Sequence, residues 1–284
     1  MPQIPYDPTR EALYSPEKRP SVFDAGVRYE LVPLCVEMAR LAYIRFEESE
    51  AERTRLESSL ALPDFSAITP FVDLATGTQA FGALRESDGL AVVSIRGTEP
   101  TKATDLATDL EFSLIDWTES AGRVHDGFAR AARSIAAPVA AWLESISALR
   151  KTLAMTGHSL GAAVATLLAT TYAADHLVTI GSPRVGDAKF IATLSSVQIH
   201  RFVDCCDVVT ELPPELGGYV HAGPTMYISG TGELDATSDS TQIEEDKAAA
   251  RADYLRQYAW KTGTVAIRDL ADHSPINYVR AILD

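Results

Sequence analysis

Cysteine is scarce: Cys35, Cys205 and Cys206 are the only three in 284 residues. An odd count with two adjacent members is no disulfide framework, and no CxxC pair offers a zinc clasp. The three read as buried free thiols. Basic residues are also in deficit, with 25 Lys+Arg against 39 Asp+Glu and a formal net charge of −14. A nucleic-acid groove needs clustered Lys and Arg to neutralise phosphates, so that class is excluded, and an anionic membrane would be repelled. A neutral substrate fits better. The first twenty residues, MPQIPYDPTREALYSPEKRP, hold no apolar core of an export signal. Read by itself, the sequence places the protein in the cytoplasm.

Long uncharged runs are almost absent too. The exception is 152–174, with no charge over 23 residues. That length could span a bilayer. Gly157, His158, Ser159 and Gly161 sit inside it with five threonines, so we read it as a buried soluble segment that bends at the glycines.

What is present is an ordinary globular balance, 46% apolar and 23% charged residues. The reading is one domain over 1–284, with a proline-punctuated arm at 1–30 packed on it. From 31 to about 60 the pattern is helical, with Leu34, Met38, Leu41 and Ile44 on one face. Strands are predicted at 78–84 and 90–95, joined through Ser87-Asp88-Gly89. The apolar stripe Phe128, Ala132, Ile135, Val139, Trp142, Ile146 and Leu149 predicts one helix over 126–150. A strand at 152–156, a helix at 160–173 and strands at 177–180, 198–203 and 226–229 follow. A last helix starts near Pro275. Strands alternating with helices imply an α/β fold with a mostly parallel central sheet covered on both faces. Residues 230–246, GTGELDATSDSTQIEED, read as a solvated acidic loop.

The strongest chemical signal is Gly157-His158-Ser159-Leu160-Gly161, a G-x-S-x-G between a strand and an apolar helix. Such a turn is too tight for side chains at the glycines and presents the serine hydroxyl above the sheet. The bland alternative makes Ser159 a helix cap. A serine needs a base to take its proton. Of six histidines, His273 stands out, in a loop before the terminal helix and last in the chain. His158 would point away from its neighbour's hydroxyl, and His125, His176, His200 and His221 lie at element edges. The acid should follow a strand after the serine. Asp204 and Asp207 both do, and pattern alone does not separate them. Two oxyanion donors are expected. One is the amide of Leu160; the other is the amide of Thr98, after the glycine turn of Ser94-Ile95-Arg96-Gly97-Thr98.

Taken in order, these residues resemble the class 3 lipases, the fungal-lipase-like branch of the α/β-hydrolases. The landmarks run from Leu41-Ala42-Tyr43 through Ile95-Arg96-Gly97-Thr98, Val124-His125-Asp126-Gly127-Phe128 and Thr156-Gly157-His158-Ser159-Leu160-Gly161. Thr179-Ile180-Gly181-Ser182-Pro183-Arg184-Val185-Gly186-Asp187 follows, then Asp207-Val208-Val209-Thr210-Glu211-Leu212-Pro213-Pro214, Gly217-Gly218-Tyr219-Val220-His221 and Asp272-His273. The resemblance covers about Leu34 to the C-terminus. It implies an α/β-hydrolase fold, Ser159 as nucleophile, Asp207 rather than Asp204 as acid, and His273 as base. It further implies Thr98 and Leu160 as the oxyanion pair. Ile95 stands where the family usually has Phe, Thr210 where it has Pro, and Ala162 where a third glycine is common.

The family's lid would fall at 99–112. Here the segment containing Lys102, Asp105, Leu106 and Leu110 is polar, with Leu106 and Leu110 its only large apolar residues. Four residues apart, they face inward together. The function implied is a serine carboxylic-ester hydrolase, a triacylglycerol lipase or esterase favouring short-to-medium-chain esters. It needs no cofactor or metal, and its contact with a lipid interface is transient. Phospholipids, galactolipids and aromatic esters are alternative substrates, and a non-catalytic lipase-like binding module is the more distant rival. Secretion is common in the family, against the cytoplasmic reading of the N-terminus.

Overall fold

The computed structural model describes residues 4–97, 113–235 and 237–283. The expected oxyanion residue Thr98 and the expected lid, with Lys102, Asp105, Leu106 and Leu110, lie outside these. The strands are β1 (Thr69–Asp73), β2 (Thr78–Arg85), β3 (Leu90–Ile95), β4 (Leu114–Asp116), β5 (Arg123–His125), β6 (Thr152–His158), β7 (His176–Ile180), β8 (Gln198–Asp204), β9 (Thr225–Ile228) and β10 (Leu234–Asp235). The helices of the first half are α1 (Arg10–Tyr14), α2 (Leu31–Leu41), α3 (Glu50–Ala61) and α4 (Asp126–Ser145). Those of the second half are α5 (Leu160–Thr171), α6 (Ala188–Ala192), α7 (Ser240–Gln257), α8 (Arg268–Ala271) and α9 (Pro275–Leu283).

Among the described residues, eight strands form one sheet in the order β1-β2-β3-β6-β7-β8-β9-β10. Its centre, β3 through β9, is parallel, while β1, β2 and β10 are antiparallel. The central strands are near-continuous apolar runs because both faces are covered. Alternate residues of β3 and β6 serve two different cores. Ala91, Val93, Ile95, Leu153 and Met155 pack with α4 and α5. Leu90, Val92 and Ala154 pack with α2 and α9. Two hydroxyls on the second face are satisfied by α2 itself: Ser94 Oγ donates to Met38 O at 2.9 Å and Thr156 Oγ1 to Cys35 O at 3.0 Å. The uncharged stretch divides into β6 and α5, both in the interior.

Three expectations need correction. The pattern over 31–60 is two helices, because Ser49 restarts the chain as a cap, its Oγ accepting Glu52 N–H at 3.2 Å. The helix from 126 stops at Ser145, and Leu149, read into its stripe, is half exposed. Residues 230–246 are not one loop: β10 lies within them and α7 begins at Ser240. Asp239 closes a capping box with Gln242, accepting Thr241 N–H at 2.9 Å and Gln242 N–H at 3.0 Å, while Gln242 Oε1 accepts Asp239 N–H at 2.9 Å. All three cysteines are free and buried.

The segment before α2 is anchored by a buried ion pair. Arg40 Nε donates to Glu37 Oε2 at 2.7 Å, and both side chains are fully buried. The same guanidinium caps three carbonyls of the N-terminal segment: Pro16 at 2.8 Å, Arg19 at 3.2 Å and Pro20 at 3.1 Å. Arg40→Met removes those bonds and strands Glu37 without its counterion. We expect a loss of about 3–5 kcal/mol in urea unfolding; a loss under ~1 kcal/mol would show that the pair anchors nothing.

Candidate active site

Strand β6 ends in the tight turn to α5. Ser159 stands there at φ 57° and ψ −128°, a left-handed conformation that a non-glycine residue holds only under constraint. The constraint comes from β7, whose Ile180 carbonyl accepts Ser159 N–H at 3.1 Å. Packing explains both glycines. A Cβ on Gly157 would lie 2.7 Å from Ala162 N, and one on Gly161 would lie 2.8 Å from the Arg96 carbonyl carbon. Ser159 makes no side-chain cap to α5, which disposes of the capping alternative. Leu160 is the first residue of α5, so its amide has no partner within the helix.

The hydroxyl instead faces a histidine. Ser159 Oγ lies 2.9 Å from His273 Nε2, and His273 Nδ1 lies 2.9 and 2.8 Å from the two oxygens of Asp207. All three side chains are buried. A carboxylate only accepts, so the ring proton sits on Nδ1 and the Nε2 lone pair is left for the serine proton. Asp207 Oδ1 also accepts Val209 N–H at 2.9 Å, and Oδ2 accepts Tyr278 O–H at 2.6 Å. The two aspartates that the sequence left open are thereby separated. Asp204 gives only its backbone amide to the cluster, donating to Tyr278 Oη at 3.0 Å. Burial, then the neighbouring Asp272, pushes the Asp204 carboxyl well above the usual carboxylate range.

The loop before His273 is tied down through Asp272. Its carboxylate accepts Arg268 Nε–H at 2.9 Å, Cys206 N–H at 3.0 Å and Tyr6 O–H at 2.7 Å. His158 forms a second tie. Its Nε2 lies 2.8 Å from the His273 carbonyl, which can only accept, so Nε2 carries the proton. Its Nδ1 therefore accepts from Tyr43 O–H, at 2.7 Å. Burial, reinforced by the nearby His273, drives the His158 pKa well below the usual histidine value, so the ring is neutral. Tyr43 Oη in turn packs against Gly97, at the start of the expected oxyanion loop, where it fills the space a Cβ would need. Tyr278, Tyr43 and His158 are the contributors that sequence reasoning missed. Tyr43 lay in a quoted landmark and His158 beside the serine, but neither spacing nor periodicity marks a strut.

Cys205, Cys206 and Asp272 are the one group among the described residues whose donor atoms come within 4.8 Å of one another in the manner of a metal site. Asp272 is already engaged by Arg268, and the contact with the Cys206 thiol, then burial, raises the Cys205 thiol rather than ionising it. These features describe packing, not ligation.

A serine held at a strained strand-to-helix turn, backed by a histidine and an aspartate at the ends of a parallel sheet, defines an α/β-hydrolase. The comparisons agree. The class 3 lipase family model matches residues 92–217. The secreted mono- and diacylglycerol lipase 1 of Fusarium solani is 33% identical over 184 residues, 61% of this chain and 54% of that protein. A Rhizomucor miehei lipase is 30% identical over 185 residues, 60% and 50% of the two chains. The chain thus spans about half the length of these curated relatives. Among solved structures, a triacylglycerol lipase described as having a serine protease triad as its catalytic centre superposes with a TM-score of 0.61 at 26% identity, covering 69% of this chain and 78% of its own. The Rhizomucor miehei triacylglyceride lipase gives 0.53 at 28%, covering 60% and 69%. Over residues 92–217 this chain is similar to the class 3 lipase family.

Proposed function

We propose that the protein is a serine carboxylic-ester hydrolase of the lipase and esterase type. The observation that carries this reading is the hydrogen-bonded line from Ser159 Oγ through the His273 ring to Asp207. His273 Nε2 takes the hydroxyl proton as Ser159 Oγ attacks the ester carbonyl. Asp207 keeps the ring in the productive tautomer and stabilises the imidazolium that forms. The Leu160 amide, with that of Thr98, holds the oxyanion. His273 then hands its proton to the departing alkoxide, and water repeats the sequence on the acyl-enzyme. Every proton and charge is handled by the chain's own groups, so the mechanism draws on no cofactor or metal.

We read the substrate as a neutral ester of short-to-medium acyl length, because the 99–112 segment, taken as the lid, is polar. Among the described residues no helix is long and apolar enough to cross a membrane. Relatives are named as secreted lipases, and that supports secretion over the cytoplasmic expectation. A panel of esters graded in acyl length, with Ser159→Ala as control, tests the activity. Tributyrin measured across its solubility limit tests the lid. We expect a smooth rate curve, and a sharp jump on emulsification would overturn weak interfacial activation. A wild-type protein that never labels with a fluorophosphonate probe would instead favour a binding module.

A further inference from the structure

A cavity of about 590 Å³ lies apart from the serine site, and neither Ser159 nor His273 lines it. In a chain of net charge −14 its walls are rich in cations, with Arg184, Arg201 and Lys247 together. Two of the three are answered. Lys247 Nζ meets Glu211 at 3.0 Å and Glu244 at 3.1 Å, and Arg184 meets Glu215 at 3.1 Å. Arg201 is not. It is 5% exposed, it has no carboxylate partner among the described residues, and its one hydrogen bond there goes to the Thr225 hydroxyl.

Three buried nitrogens of the same walls have no hydrogen-bond partner among the described residues: Arg201 Nε, Arg184 Nε and His221 Nδ1. Burial, helped by the two guanidiniums, lowers the His221 pKa to about 3. Burial foremost, with Arg184 adding, lowers that of Arg201 to about 10, so the guanidinium still carries its charge at neutral pH. A buried guanidinium without a counterion is costly, and buried charges are ordinarily paired. Glu211 and Glu215 of the same walls are taken by Lys247 and Arg184, and no described carboxylate reaches Arg201, which leaves room for a counterion from outside.

The rest of the lining says what it is attached to. Val203 and Ile243 give the cavity an apolar side, and Leu216, fully exposed, stands at its wall. We propose that this cavity binds a small amphiphile with an oxyanion head, a carboxylate or a phosphate, the head seated between Arg201 and Arg184 and the short apolar chain against Ile243 and Leu216. A guanidinium fork matches either head by paired hydrogen bonds. Its volume falls in the range of small-molecule sites. None of these residues belongs to the serine machinery, so the inference stands or falls separately from the hydrolase reading.

Calorimetric titration of the full chain with octanoate, octyl phosphate, inorganic phosphate and octanol is the test. At least one of the three anions should bind at one site, and octanol should not. Binding of octyl and inorganic phosphate identifies a phosphate head; binding of octanoate alone identifies a carboxylate. Arg201→Gln should weaken the bound anion by roughly 10- to 100-fold, the range for a charged hydrogen bond. Should that variant fail to fold, Leu216→Asp, on an exposed side chain, places a repelling charge beside the ligand and should weaken every bound anion, the octyl anions most. The proposal is overturned by equal binding of octanol, by no heat from any anion up to about 10 mM, or by unchanged affinity in a folded Arg201→Gln or Leu216→Asp.

Discussion

Ser159→Ala should lower kcat on a soluble ester by on the order of 10⁶-fold, the scale seen when the nucleophile of such a group is removed. It should do so with little change in stability. Among the described residues the hydroxyl's one partner is His273 Nε2, and it caps nothing in α5, so its loss frees no helix amide. Alanine must adopt the same strained backbone angles, and the Ile180 carbonyl that holds Ser159 N–H is unaffected. Initial rates read beside thermal unfolding separate the two effects. What remains should be the modest rate that oxyanion donors and binding supply on their own. A variant that retains about a hundredth of the wild-type rate or more would place the nucleophile elsewhere.

Legibility of this fold tracked how locally each feature is determined. β3 was readable to the residue, because a strand buried on both faces is a short apolar run bounded by turn residues, and Leu90–Ile95 stands between Gly89 and the polar start of the next loop. The serine turn was readable because its constraint is local: two glycines without room for a Cβ within five residues. α7 was not readable from hydrophobicity. Only Ala250 and Tyr254 of its eighteen residues are buried, so it lacks an apolar stripe. Its sign in the sequence is Asp239 three residues before Gln242, the spacing of a capping box. Asp204 and Asp207 looked alike because what separates them lies far along the chain. His273 reaches one carboxylate, and Tyr278 Oη sits between them, accepting from Asp204 N–H and donating to Asp207. Tyr278 itself reads in sequence as one more apolar position on a terminal amphipathic helix. His158 was expected only to avoid the serine. That it holds the His273 carbonyl on one side and Tyr43 on the other is a fact of three-dimensional proximity.

Asp207→Asn should cost about 10⁴ in kcat with little change in KM. The reason lies in what surrounds the carboxylate. Val209 N–H and His273 Nδ1 point at Oδ1, and Tyr278 O–H and His273 Nδ1 at Oδ2, so every neighbour is a donor. An amide must put its NH₂ against one of those pairs. Facing Val209 it opposes an amide that cannot turn. Facing Tyr278 it donates either to that oxygen or to His273 Nδ1, and in the second case the ring proton moves to Nε2, where it blocks acceptance from Ser159. Tyr278→Phe makes the contrast. It deletes one donor to Asp207 and orphans Asp204 N–H, which should cost about 1–3 kcal/mol in unfolding. Val209 and His273 still hold the carboxylate, however, so the tautomer survives and kcat should fall by no more than roughly tenfold. The two variants therefore split a protonation effect from a positioning effect at the same oxygen. A Tyr278→Phe enzyme as slow as Asp207→Asn would mean that placement of the carboxylate, rather than the ring tautomer it enforces, limits the reaction.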